Sequence, residues 1–131
     1  MLKPEFTDAN GRKWCLKITI AHVKPLKEAG FDLKAVRDST DAFDALADPE
    51  TFGHVFYLLC EAQAEKLGVS PEEFMSGFDG ATIHAASNAL LAAVADFTHP
   101  PAVAKLVKER LPGMLADADA KAVELVNAAP A

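Results

Sequence analysis

The apolar positions between residues 49 and 67 are spaced as on one face of an α-helix. They recur at steps of three and four residues, at Phe52, Val55, Phe56, Leu59 and Cys60. Asp48 and Pro49 are typical of an N-cap and a first helical position, and Gly68 is typical of the residue just beyond a helix end. The pattern therefore predicts the central helix of the domain, with that apolar face forming the floor of the core.

A different period occurs near the front of the chain. Trp14, Leu16, Ile18 and Ile20 alternate with polar or small residues, which is typical of a half-buried β-strand. Asn10-Gly11 just before them favours a tight turn, because both residues accept positive φ angles. We therefore predict a hairpin over residues 6–20 that lies on the helices or pairs with another copy of the chain.

Start and stop patterns predict further helices on both sides of the central one. They are expected over residues 21–29, 41–46, 71–77, 80–97 and 102–111, the second after candidate caps at residues 38–40. The apolar side of the 80–97 helix is expected at Ile83, Ala86, Leu90, Leu91, Val94 and Phe97, and that of the 102–111 helix at Val103, Leu106, Val107 and Leu111.

The predicted fold class is mainly α: a small helical domain of about five to six helices with one N-terminal β-hairpin. This single domain is expected to occupy residues 1–112. For residues 113–131 two alternatives stay open, a last helix and a flexible tail.

Composition narrows the classes of partner. Half of the 131 residues are apolar, which is enough for a core, and the formal net charge is −6. No cluster of lysine and arginine stands out, so nucleic acid and anionic membranes are poor partners. The chain shows no signal peptide pattern and no apolar run long enough to span a bilayer, so the cytoplasm is the expected location.

No residue pattern predicts a catalytic, metal or cofactor site. The four histidines lack metal-ligand spacing, and glycine-rich phosphate loops are missing from the sequence. Cys15 and Cys60 are expected to be buried free thiols, with a disulfide between them as the alternative. A hydrolase that uses one of these thiols with a distant histidine is the enzymatic hypothesis.

Two regions are candidate partner surfaces. Phe74, Met75 and Phe78 lie in a short segment, where they either cover the core or form a groove or knob for a partner helix. Trp14 and Ile18 mark the second candidate, the hairpin, through strand pairing.

The order of several short segments carries a family resemblance. A D-x-x-G-R-x-W opening is followed by the alternating strand, by G-F-D-L after the first helix, and by L-A-D-P-E at the start of the central helix. That helix continues as L-L-C-E-A-Q-A, and G-V-S-P-E-E-F and an alanine-rich helix ending in A-D-F complete the order. These segments begin at Asp8, Gly30, Leu46, Leu58 and Gly68, and the last ends at Phe97. In this order and spacing, residues 6–110 resemble the small tail assembly chaperones of long-tailed phages and prophages.

The resemblance implies a protein without an active site that acts in the host bacterial cytoplasm. Such chaperones coat the long helical tape measure protein and keep it soluble until tail tube protein polymerises around it. A homo-oligomer is compatible with this role, and a structural head–tail or tail component is the alternative within the same setting. The shared motif residues are mostly fold residues, so the resemblance assigns no binding residues.

Overall fold

A computed structural model describes residues 2–36, 40–110 and 112. These residues form a mainly α domain with one N-terminal hairpin, as predicted, and contain seven helices where five to six were expected. In chain order the elements are β1 (Glu5–Thr7), β2 (Lys13–Cys15), α1 (Ile20–Glu28), α2 (Leu33–Val36), a 3₁₀ helix (Thr40–Ala47), α3 (Pro49–Leu67), α4 (Pro71–Ser76), α5 (Gly80–Thr98) and α6 (residues 101–110).

Helix α3 has the predicted bounds and lies at the centre of the fold. Asp48 caps its first turn by accepting a hydrogen bond from the backbone N–H of Glu50 at 3.1 Å. Gly68 ends the helix in the left-handed conformation, at φ +68°. All five residues of the predicted apolar face are buried, which confirms that this face lies on the core. Helix α3 packs against β2, α1, the 3₁₀ helix and α4.

The hairpin is shorter than predicted. β1 and β2 pair antiparallel with Phe6 opposite Trp14, but β2 ends at Cys15 rather than near residue 20. The alternation still places Trp14, Leu16 and Ile18 in the core, whereas Ile20 is 83% exposed. The reason is local: Thr19 and His22 form a capping box that starts α1 at Ile20, so the strand period stops there.

Helix α5 buries half of its predicted apolar face, Ala86, Leu90 and Val94, and adds several small residues that were not predicted. Its buried positions are Thr82, Ala86, Ala89, Leu90, Ala92, Ala93, Val94 and Ala95. Ile83 was expected on this side and is 43% exposed, while Leu91 and Phe97 are half-buried. Because α5 packs directly against β1, alanines at the contact allow the two backbones to approach closely, and the larger side chain is turned outward.

The apolar side predicted for α6 is wrong at Val103 and Leu106. Ala104 is buried, whereas Val103 and Leu106 are exposed and Val107 is half-buried. The helix is held at the C-terminal end of α5 by an ion pair of 2.5 Å between Lys108 Nζ and Asp96 Oδ1. None of the described helices combines the length and apolar character needed to cross a membrane. The candidate caps at residues 38 and 39, Leu111, and the alternatives for residues 113–131 lie outside the described residues.

Candidate partner-binding site

The D-x-x-G-R-x-W motif forms one hydrogen-bonded unit around a buried carboxylate. Asp8 Oδ1 accepts hydrogen bonds from the backbone N–H groups of Asn10 and Arg12, each at 2.9 Å. Asp8 Oδ2 accepts the indole N–H of Trp14, also at 2.9 Å. Gly11 occupies φ +82°, which a residue with a Cβ rarely adopts. The motif therefore sets the hairpin turn and fixes the orientation of the tryptophan.

Three of the five predicted partner residues are buried in the core. The Trp14 and Phe74 side chains are fully covered and meet edge to face, with ring centroids 4.9 Å apart. Ile18 is buried as well. Their burial in this structure corrects their assignment as partner residues. Trp14 and Phe74 cover each other, and Ile18 lies beside Ala93 and Phe97 of α5, which the sequence spacing alone does not reveal.

Met75 and Phe78 remain partly exposed, and the fold brings them to an open groove of about 280 Å³. We call it the apolar groove. It lies between the end of the 3₁₀ helix, the first turns of α3 and α5, and helix α4. Its lining residues are Leu46, Ala47, Pro49, Phe52, Gly53, Met75, Phe78 and Ile83. The interpretation of Met75 and Phe78 as part of a groove is thus compatible with the structure.

The floor of the apolar groove belongs to an aromatic cluster of the core. The Phe78 ring contacts those of Phe6, Phe52, Phe56 and Phe74, at centroid distances between 5.2 and 6.0 Å. Aromatic pairs at this spacing pack favourably in tilted and edge-to-face arrangements. The floor is therefore held by the core, whereas the unbranched Met75 at the wall can change rotamer.

A second, shallower depression of about 320 Å³ adjoins the apolar groove. It shares Leu46 and Ala47 with the groove and is bounded on α5 by Ser87, Leu90 and Leu91. Together with Ile83, these positions follow one another at helical steps of three and four along α5. The partly exposed surface therefore continues along a face of α5.

The residues that line the apolar groove lie in two stretches of sequence whose formal charges are all negative, while Lys66 lies beyond the first stretch, in the last turn of α3. Residues 40–65 contain six acidic residues and residues 70–98 contain four, and neither range contains a lysine or an arginine. Two histidines, His54 and His84, are the other titratable bases there. From the hairpin, Arg12 reaches the second stretch and pairs with Glu73 at 3.4 Å. The groove is thus apolar inside and lies in an acidic part of the molecule.

The exposed edge of the hairpin is closed at one residue by a side chain of α3. Gln63 Nε2 donates to the Cys15 carbonyl oxygen at 2.5 Å, and the Cys15 N–H donates to Gln63 Oε1 at 3.1 Å. A glutamine that bonds both backbone groups occupies the place of a neighbouring strand. Strand pairing through β2, the second candidate surface, is blocked at that residue. In the sequence, Gln63 is one of several polar residues in the second half of α3, and nothing there indicates a contact with the hairpin.

The two cysteines have different environments, and one prediction about them is wrong. Both are free thiols, but Cys15 is exposed and only Cys60 is buried. Burial raises the pKa of the Cys60 thiol to about 12, with a smaller contribution from the nearby Cys15. Among the described residues no group of three or more His, Cys, Asp or Glu side chains is arranged to hold a metal ion.

Comparisons with family models, with curated proteins and with solved structures find no match to this chain.

Proposed function

We propose that this chain is a non-enzymatic tail assembly chaperone of a long-tailed phage or prophage. Its partner is the tape measure protein, which it binds and keeps soluble until tail tube protein assembles around it. The observation that carries the proposal is the ordered likeness of residues 6–110 to such chaperones.

The geometry supports a binding role in general terms. The apolar groove is an open apolar surface backed by a well-packed core, as a protein-binding site requires. A small open surface suits a chaperone that binds in many copies along a rod-like partner, because many weak sites together bind tightly.

The thiol-hydrolase alternative fits the structure less well. The nucleophile of such an enzyme is a thiolate, and a Cys60 thiol with a pKa of about 12 is almost entirely protonated at neutral pH. Cys15 is exposed, and the polar neighbour of its Sγ is the Glu5 carboxylate, at 4.0 Å, rather than the histidine that such an enzyme uses as a base.

Co-expression with the tape measure protein tests the proposal. We expect a soluble complex of the two proteins that survives purification through a tag on this chain. Equal insolubility of the tape measure protein with and without this chain would overturn the proposal. Mass spectrometry of purified particles separates the structural alternative, because a chaperone is absent from finished particles and a tail component is present.

A further inference from the structure

We propose that the apolar groove binds an amphipathic α-helix of a partner protein whose apolar residues are flanked by lysine or arginine. This inference deepens the proposed function and rests on it only for the expectation that the partner is a helical protein. It goes further because it places the site on named residues and defines the partner by its charge.

The exposed residues of the apolar groove supply the apolar contact. Ile83 keeps 43% of its surface exposed at one wall, although eight other residues of α5 are buried. Met75 lies at another wall, where its thioether adapts to the shape of an incoming side chain. A cavity of about 280 Å³ is suited to a few side chains of a partner rather than to a whole drug-sized ligand.

The surroundings favour a helix over an extended peptide. The groove is lined by side chains of the 3₁₀ helix, α3, α4 and α5, whose backbone groups are bonded within their own helices and turns. An extended peptide laid on this surface would lose water from its backbone N–H and C=O groups without gaining partners for them. A helix satisfies those groups internally and presents side chains only.

Charge complementarity determines the flanks of the partner helix. Asp48 and Asp79 each adjoin residues that line the groove, and Glu50 follows Pro49 of the lining. Asp48 and Asp79 already cap the N-termini of α3 and α5, so the positive ends of these helices are satisfied within the chain. With no lysine or arginine in residues 40–65 or 70–98, a basic partner meets attraction and an acidic one meets repulsion.

Three synthetic helical peptides test the proposal with the full-length chain. The first carries leucines at steps of three and four and lysines elsewhere, the second has glutamate in place of every lysine, and the third has alanine in place of every leucine. Binding is measured by fluorescence anisotropy of the labelled peptides. We expect binding of the first peptide, with the other two bound at least about tenfold more weakly.

A matched pair of variants separates the groove from general attraction by the acidic surface. Ile83→Lys and Leu106→Lys change the net charge equally, and the original side chains are almost equally exposed, at 43% and 45%. Leu106 is on α6, whose Lys108 contacts Asp96 near the far end of α5, about 20 Å along the helix from Ile83. We expect Ile83→Lys to weaken binding of the leucine–lysine peptide about tenfold or more and Leu106→Lys to leave it within about twofold.

A third variant fills the groove without adding charge. A Cβ at position 53 would lie 2.8 Å from Met75 Sδ, so Gly53→Ala narrows the groove and displaces a flexible side chain. Helix propensity favours alanine, so this variant is expected to fold, and thermal unfolding checks that it does. We expect weaker peptide binding in this variant too.

Several outcomes would overturn the inference. These are no binding of the leucine–lysine peptide, equal binding of the glutamate peptide, or equal losses in Ile83→Lys and Leu106→Lys. Peptide binding at the groove together with failure of the tape measure co-expression would reject the proposed function and leave this inference standing. Success of the co-expression with unchanged complex formation by the folded Ile83→Lys variant would do the reverse.

Discussion

Replacement of Asp8 by alanine is expected to be among the most damaging single substitutions outside the apolar core. The carboxylate is 5% exposed and accepts three hydrogen bonds of 2.9 Å, from Asn10, Arg12 and Trp14. It therefore links the hairpin turn to the tryptophan that packs on Phe74.

The size of the loss in stability depends on whether each N–H group that loses its bond to Asp8 can reach water instead. The backbone N–H groups of Asn10 and Arg12 lie at the turn, where water replaces part of the lost interaction, so each costs about 0.5–1 kcal/mol. The Trp14 indole N–H belongs to a fully buried side chain and finds no water, which costs about 1–3 kcal/mol. The sum is about 3 kcal/mol, a large part of the roughly 5–15 kcal/mol that stabilises a typical domain.

Asp8→Asn separates hydrogen bonding from packing because it keeps the shape of the side chain. The amide has one acceptor oxygen, so its NH₂ group must face either Trp14 or the turn N–H groups. We expect a loss of about 2 kcal/mol. Glu61→Gln is the matched control, since it makes the same charge change at an exposed position of α3 and is expected to change stability by less than about 0.5 kcal/mol.

Urea unfolding followed by far-ultraviolet circular dichroism measures these free energies of unfolding, and fluorescence of the single tryptophan reports on the hairpin itself. A double-mutant cycle with Trp14→Phe tests the indole bond directly, because phenylalanine has no N–H to leave unpaired. We expect a coupling of about 1 kcal/mol or more between the two positions. Additive effects, or an Asp8→Asn variant as stable as Glu61→Gln, would refute this account of the motif.

Three further predictions concern single positions. Gly77→Ala places a Cβ 2.8 Å from the Asp8 carboxylate oxygen, so we expect the free energy of unfolding in urea to fall by about 1–3 kcal/mol. Gly80→Ala is the control, because a Cβ there meets no atom within 4 Å, and an equal loss in this variant would contradict the steric argument. Hydrogen bonds from the backbone and side chain of Thr82 lower the pKa of Asp79 below 3.8, so the charged form stabilises the fold above pH 3.8 and this contribution is lost as the pH falls through the lowered pKa. The difference in Tm between the native chain and Asp79→Asn should therefore shrink in acid, and a difference independent of pH would contradict this role of the Asp79 charge. Iodoacetamide at neutral pH should add one group to the folded chain, at Cys15, and a second at Cys60 only after unfolding; two additions to the folded chain, counted by mass spectrometry, would show that Cys60 is accessible.

Helix boundaries were largely predictable from neighbouring residues. Asp48, Ser70 and Asp79 each accept a hydrogen bond from a backbone N–H two or three residues ahead, and Gly68 takes the left-handed angle that ends α3. These interactions lie within a few residues, so the pattern that encodes them is complete in the local sequence. The predicted bounds of α3 are accordingly the observed ones.

The candidate site was predictable only in part. The sequence indicates the segment with Phe74, Met75 and Phe78 as a possible surface, but all three residues are apolar and lie within five positions, so the pattern does not distinguish buried from exposed ones. The three residues differ in burial: Phe74 is buried against Trp14 and Tyr57, whereas Met75 and Phe78 are partly exposed and line the apolar groove. Ile83 lies at the groove because α5 buries other residues, mostly alanines, and leaves its isoleucine partly exposed.

The sequence by itself thus determined the helical class of the fold, the central helix with its buried face, and the turn that joins the two strands of the hairpin. Only the tertiary structure decided which apolar side chains remain exposed and which polar side chains close the hairpin edge. The physical reason is the distance along the chain between partners: Gln63 meets Cys15 across 48 residues and Arg12 meets Glu73 across 61. Caps and turns are formed between near neighbours, while burial depends on surfaces that only the folded chain brings together.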